Sequence, residues 1–164
     1  LFDMWLGDWD RHERQYRWAS YKQDKGTSYK VIPEDRDQVF FKFDGIIPWI
    51  ISRKTMIRSL QNFDHTYNDI IGLNHTGKKI DRRFMSSVTK EQWLAIADSM
   101  KNSLTDKTIE DAIKLWPAQI FKLHGEEIIS KLKAIHHCLG RAVDFYYDTF
   151  NQVFIAACCE CFAA

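Results

Sequence analysis

The sequence predicts an α+β fold that is mainly α-helical, with one β-hairpin near the N-terminus. Between Tyr16 and Ile32, two short β-prone runs flank the turn-forming residues 23–26, a pattern typical of a hairpin. From residue 44 onward, apolar residues instead recur three or four positions apart, which is the period of a helix. The length of 164 residues is close to that of one domain, so we predict a single domain over 1–150 and an apolar, cysteine-containing tail over 151–164.

The chain opens on a predicted short helix that ends at Gly7. This helix starts at Leu1 without a preceding capping residue, so we expect the domain to be truncated at its N-terminus. A polar loop over 8–12 interrupts the helical period. The hairpin is then expected to pair residues 16–20 with residues 28–32.

Three longer helices are predicted in the second half of the chain. Thr89 and Gln92 have the spacing of a capping box, and the helix that follows has an apolar face made of Trp93, Leu94, Ile96, Ala97 and Met100. A second helix is expected to begin at Thr105 or Asp106 and to end at the break made by Pro117. A third runs from Glu126 to about Phe150, with an apolar stripe of Ile128, Leu132, Ile135, Leu139, Ala142 and Tyr146.

The segment over 43–87 is punctuated by Pro48, Gly72 and Gly77, and it is predicted to form short helices joined by loops. The charge balance is even, with 23 basic and 22 acidic residues and a net charge of +1. We therefore expect no nucleic-acid partner. No apolar run approaches the roughly 18 residues of a membrane helix, so no transmembrane segment is expected in this chain.

Two acidic motifs near the N-terminus have the order and spacing of a phosphoryl-transfer site. Such a site needs an Asp to orient the attacking hydroxyl, a nearby amide or carboxylate for the metal, and a second Asp that reaches the magnesium ion. Asp10 is followed five residues later by Gln15, the offset between base and metal-binding Asn in kinase catalytic loops. The predicted hairpin then leads to Asp35, where a second metal ligand would lie.

The first motif, Gly-Asp-Trp-Asp-Arg-His-Glu-Arg-Gln over 7–15, resembles the G-N-x-D-R-H-x-x-N loop of HipA-like, spore-coat CotH-like and phosphatidylinositol-4-kinase-like atypical kinases. The second, Pro-Glu-Asp-Arg-Asp over 33–37, resembles their proline-aromatic-Asp metal motif. The resemblance implies the C-terminal lobe of an atypical kinase, with magnesium or manganese as its cofactor. It implies a catalytic Asp10, the metal ligands Gln15, Asp35 and Asp37, and the supporting residues Asp8, Arg11 and His12.

The chain departs from the kinase pattern in the parts that hold a nucleotide. Neither a Gly-rich loop nor a strand lysine in a Val-Ala-x-Lys context occurs in the sequence. The resemblance therefore implies that ATP binds only together with a missing upstream lobe of a longer parent, and that this chain is inactive alone. The phosphate acceptor is not indicated.

A second likeness covers most of the chain, comprising residues 1–43, the Arg-Arg-Phe run at 82–84 and the helices up to Tyr147. These parts are similar to an uncharacterised region of large bacterial envelope proteins, which also carry a calcineurin-like metallophosphoesterase and an outer-membrane barrel. The likeness implies a location in the bacterial cell envelope or periplasm. It also leaves open an alternative function, in which the chain is a non-catalytic structural or interaction module and its acids and arginines form a structural network.

Overall fold

The computed structural model describes residues 1–43 and 57–161, and it confirms an α+β fold that is mainly helical. A short helix α1 (Phe2–Leu6) and a 3-10 turn (Glu13–Gln15) precede the strands β1 (Tyr16–Gln23) and β2 (Gly26–Pro33). The helices that follow are α2 (Ile70–Leu73), α3 (Lys78–Met85), α4 (Lys90–Ser103), α5 (Asp106–Ile113), α6 (Ala118–Ile120) and α7 (Glu126–Cys161), with a π-helical turn (Phe121–Gly125) between the last two.

The two strands form the predicted antiparallel hairpin. Tyr16 lies opposite Pro33 and Gln23 lies opposite Gly26, so only Asp24 and Lys25 connect the strands. Gly26 has a φ of 112°, a backbone conformation that L side chains rarely adopt. The hairpin is longer than predicted, because the ladder continues toward the turn as far as the pair of Gln23 and Gly26.

Helix α1 ends at Gly7 as predicted, and the reason is conformational. Gly7 has a φ of 69°, and its amide donates to the carbonyl of Met4 at 3.1 Å, which closes the last turn. A Cβ atom at this position would lie 2.6 Å from Cδ2 of Phe63. The left-handed turn and the close approach of Phe63 both require glycine, and they direct the chain into the loop over 8–12.

Helix α7 is the central element of the hydrophobic core. Its buried stripe contains Ile128, Ile129, Leu132, Ile135, Leu139, Val143 and Tyr146, while Ala142 is only partly buried. Helices α1, α2, α4 and α5 pack against this helix. Two indoles reinforce the packing. Nε1 of the buried Trp5 donates to the carbonyl of Leu132 at 3.1 Å, and Nε1 of the partly buried Trp93 donates to that of Val143 at 3.3 Å.

Helix α4 begins with the predicted capping box. The amide of Gln92 donates to the Thr89 hydroxyl at 3.3 Å, and the Gln92 side chain accepts from the amide of Thr89 at 2.9 Å. The predicted inclusion of Ile96 in the apolar face is wrong, because this side chain is 52% exposed whereas Ala97 is buried. Helix α5 starts at Asp106 with Thr105 as its cap, as predicted, and ends at Ile113 before Pro117.

Between residues 57 and 87 the structure contains the two short helices α2 and α3, in agreement with the prediction for this segment. Pro48 lies outside the described residues. Helix α7 continues past the expected end near Phe150 as far as Cys161, because no proline or glycine interrupts residues 151–161. None of the described helices has the length and the continuous apolar composition needed to cross a bilayer.

Candidate functional site

The loop that carries the first acidic motif is anchored by Asp8. This residue is almost fully buried. Its Oδ2 accepts a hydrogen bond from Nη1 of Arg36 at 2.9 Å, and its Oδ1 accepts from the amide of Asp10 at 3.2 Å. Burial raises the pKa of the Asp8 carboxyl, although Arg36 opposes this effect. Asp8 therefore acts as a structural support that holds Asp10 in position.

The structure brings the predicted catalytic residue and the first predicted metal ligand together. Nε2 of Gln15 donates to Oδ2 of Asp10 at 3.3 Å. On the other side of the carboxylate, Nε2 of His12 lies 3.7 Å from Oδ1 of Asp10. The Asp10 side chain keeps 28% of its surface exposed, so its carboxylate is held between two neighbours and remains accessible from solvent.

The second motif lies next to the first at the base of the hairpin. The amide of Glu34 donates to the carbonyl of Gln15 at 2.8 Å, one step beyond the last pair of the ladder. Asp35 follows directly with a φ of 46°, a left-handed conformation that Asp tolerates better than most residues. The turn sends Arg36 back toward the loop, where it reaches both Asp8 and Asp3.

Asp35 and Asp37, the other two predicted metal ligands, flank Arg36 and are exposed. Their carboxylates and the amide of Gln15 are hard oxygen ligands of the kind that magnesium prefers. Within the described residues, however, no three His, Cys, Asp or Glu side chains are grouped closely enough to hold a metal ion. The donor chemistry thus fits magnesium, and Gln15, Asp35 and Asp37 would have to be completed by water or substrate oxygens.

Arg11 binds the loop to the helical part of the domain. Its guanidinium is buried, and it donates from Nη1 to Oδ1 of Asn74 at 2.7 Å and from Nη2 to Oδ1 of Asp81 at 3.0 Å. The other oxygen of Asp81 accepts from the hydroxyl of Tyr146 at 2.6 Å. A chain of buried polar contacts therefore runs from the loop through α3 to α7.

A second polar cluster surrounds Asp3 on α1. Its Oδ2 accepts from the Tyr16 hydroxyl at 2.7 Å and lies 3.6 Å from Nε of Arg11, while its Oδ1 contacts Arg36. Burial by itself would raise the pKa of Asp3, but the Tyr16 hydrogen bond and the two arginines lower it overall. Burial and the bond to Asp3 raise the pKa of Tyr16 to about 12. The cluster thus favours a charged Asp3 and a protonated Tyr16.

His12 has a structural contact in addition to its proximity to Asp10. Its Nδ1 accepts a hydrogen bond from the amide of Arg14 at 3.2 Å, which caps the 3-10 turn. The same turn brings the Gln15 side chain next to the Asp10 carboxylate. The side chain of His12 thereby shapes the segment between the predicted base and the predicted metal ligand.

The sequence analysis assigned no role at this site to several residues that hold it together, namely Asp3, Asn74, Asp81 and Tyr146, whereas the Arg36 to Asp8 contact agrees with the predicted network of acids and arginines. One available signal was Asp81, an acid within a run of four basic residues on α3. Another was Tyr146 in the buried stripe of α7, since a buried tyrosine hydroxyl needs a polar partner. Neither signal identifies Arg11 as the partner.

Searches of family models, of curated proteins and of solved structures found no match to this chain.

Proposed function

We propose that this chain is the catalytic-loop part of a kinase-like phosphotransferase lobe, with Asp10 as the base that orients the attacking hydroxyl. The observation that carries the proposal is the adjacency of the two acidic motifs. Gln15 contacts Asp10 at 3.3 Å and, through its carbonyl, the amide of Glu34 at 2.8 Å. The residue that follows Glu34 is Asp35, the proposed metal ligand.

The partial exposure of Asp10 supports the proposed role, because a base must be reached by the substrate hydroxyl. Asp8 supports it as well, since its bond to the Asp10 amide positions the loop backbone. Gln15, Asp35 and Asp37 are the proposed magnesium or manganese ligands. Proteins bind magnesium through one or two carboxylates and complete its shell with water and substrate phosphates. In a longer parent, an upstream lobe would clamp ATP.

The first test measures manganese binding by electron paramagnetic resonance, in which protein-bound ions lose the sharp signal of free Mn²⁺. We expect the chain to bind Mn²⁺ and the Asp35→Ala variant to bind at least about tenfold more weakly, because loss of even an outer partner of a metal ligand has that effect. The matched control is Asp24→Ala, which removes an exposed carboxylate in the hairpin turn. This control should bind as the unaltered chain does.

The second test adds an ATP analogue and compares the chain with a version extended upstream, by calorimetry. We expect metal-dependent nucleotide binding by the extended protein only, and its loss in Asp35→Ala. A folded extended protein that binds neither metal nor nucleotide would overturn the proposal.

The second candidate function is a non-catalytic structural or interaction module of a bacterial envelope protein. The observation that favours it is the engagement of the acids with arginines, since Arg36 bridges Asp3 and Asp8 and Arg11 pairs with Asp81. Such a module should show no Mn²⁺ binding at Asp35. The Arg36→Ala variant should then lower the free energy of unfolding by the same amount with and without Mn²⁺.

A further inference from the structure

A groove with an aromatic floor lies between the β-hairpin and α3. It has a volume of about 460 Å³, and its apolar lining consists of Trp18, Tyr29, Ile80 and Phe84. All three aromatic rings are unusually open to solvent, with exposures of 50% for Trp18, 64% for Tyr29 and 46% for Phe84. The Trp18 and Phe84 rings contact each other at a centroid distance of 5.2 Å, so the floor is held in place from both sides.

The strand register explains why these side chains share one surface. Trp18 lies opposite Val31 and Ser20 lies opposite Tyr29. Because side chains alternate across a strand, Trp18, Tyr29 and Val31 belong to the same face of the hairpin. Most of the hairpin's side chains are exposed. The groove is therefore built by secondary structure on both sides.

A second cavity of about 450 Å³ adjoins the first and continues it toward the loop over 8–12. Both cavities are lined by Glu13 and Lys79, and the second one reaches His12, Arg14, His75 and Lys78. The positive charges along the two cavities are Arg14, Lys78, Lys79 and Arg83, whereas Glu13 is the single acid among the residues that line them. Glu13 approaches Lys79 only at 3.8 Å, and both are mostly exposed.

We infer that this composite groove, made of the two adjoining cavities, binds an acidic peptide segment that carries one aromatic or large aliphatic side chain. The apolar side chain would lie on Trp18, Tyr29 and Phe84, where it removes exposed aromatic surface from water. The acidic residues would pair with the exposed cations Lys79 and Arg83 of α3 and with Arg14. This class of ligand follows from the groove itself, which has an apolar end and a cationic end.

The same separation argues against nucleic acid as the occupant. Single-stranded nucleic acid is bound by aromatic rings interleaved with cations along the whole path of its backbone. In this groove the aromatic side chains lie only at the end next to the hairpin, and the chain as a whole has a net charge of only +1. This inference concerns binding without metal or nucleotide, so it does not depend on the proposed phosphotransferase function.

The test is fluorescence anisotropy with a short fluorescein-labelled peptide of aspartate and glutamate that contains one phenylalanine. We expect binding that weakens about tenfold when the phenylalanine is replaced by alanine, and by a similar factor or more in the Lys79→Glu, Arg83→Glu double variant. The matched control is Lys107→Glu, Lys122→Glu, which reverses two exposed charges elsewhere. It should bind as the unaltered chain does.

All four substituted positions are exposed, so the variants should keep the native circular dichroism spectrum, which is recorded for each. If the phenylalanine and alanine peptides bind equally well, the phenylalanine side chain does not lie on the aromatic floor, and the inference is wrong. If both double variants weaken peptide binding equally, the groove is not the binding site. Tighter binding of a labelled oligothymidylate, lost in the Lys79→Glu, Arg83→Glu variant, would identify nucleic acid instead and overturn the inference.

Discussion

Removing one partner of the buried pair of Arg11 and Asp81 should destabilise the protein strongly, and Asp81→Asn tests this. The substitution keeps the size of the side chain and removes its charge. The Arg11 guanidinium is only 5% exposed, and it would keep Asn74 as a hydrogen-bond acceptor and Asp3 at 3.6 Å as the remaining carboxylate. Removing one partner of a buried ion pair costs about 3–5 kcal/mol. Because Asp3 compensates in part, we expect about 3 kcal/mol.

The assay is urea unfolding at neutral pH, followed in parallel by tryptophan fluorescence and circular dichroism. With a slope of about 1–3 kcal/mol per molar urea, a loss of about 3 kcal/mol moves the midpoint down by about 1–3 M. Two further variants show whether the loss of stability comes from the buried pair. Tyr146→Phe removes only the hydroxyl bond to Asp81 and should cost less, about 1.5–3 kcal/mol. Asp111→Asn, in an exposed pair with Lys107, should leave the midpoint nearly unchanged.

A double variant shows whether the loss of stability comes from an unpaired buried charge or from a lost packing contact. Arg11→Met combined with Asp81→Leu removes both charges, so it should be less destabilising than the sum of the two single substitutions. A loss below about 1 kcal/mol in Asp81→Asn would refute the reasoning, because it would mean that Arg11 is solvated without its partner. Simple additivity in the double variant would refute the coupling between the two residues.

Two further substitutions test contacts near the candidate site. Gly7→Ala combines a φ of 69° with a Cβ atom 2.6 Å from Phe63, so we expect a loss of about 1–3 kcal/mol in the same urea assay, and an unchanged midpoint would contradict the left-handed turn. Tyr16 keeps its proton in the folded state up to a pKa of about 12, above its ordinary value of 10.0. Its contribution to stability is therefore complete below about pH 10 and is lost as the pH rises toward about 12. Burial also raises the pKa of Tyr67 and Tyr146, so Tyr16→Phe should make this part of the stability profile less steep, and an equally steep decline in the variant would show that Tyr16 does not contribute to it.

The local structure was largely predictable from the sequence because each signal acts over a few residues. The turn residues over 23–26 determine the hairpin, and the hydroxyl of Thr89 with the amide side chain of Gln92 determines the start of α4. Gly7 ends α1 because its conformation is left-handed. These features depend on backbone conformation and on nearby hydrogen bonds, and neither requires knowledge of distant contacts.

The candidate site was predictable only in part. Asp10 and Gln15, selected by their five-residue offset, contact each other in the structure because a single 3-10 turn separates them, whereas their predicted roles stay predictions. The order of loop, hairpin and acid indicated that Asp35 returns to the same region, which the Gln15 to Glu34 contact explains. That these residues bind one metal ion together remains a prediction, because spacing in the sequence does not determine the direction in which each side chain points.

Periodicity and turn chemistry were enough to predict the fold class, the hairpin, the helix caps and the buried stripe of α7 from the sequence. The tertiary structure decided which distant groups meet. Arg11 and Asp81 are 70 residues apart, and Ile96 lies on the solvent side of α4 although its neighbour Ala97 is buried. The physical reason is that the period of a helix shows which side chains share a face, whereas packing decides how much of that face is covered and which buried charge finds a partner.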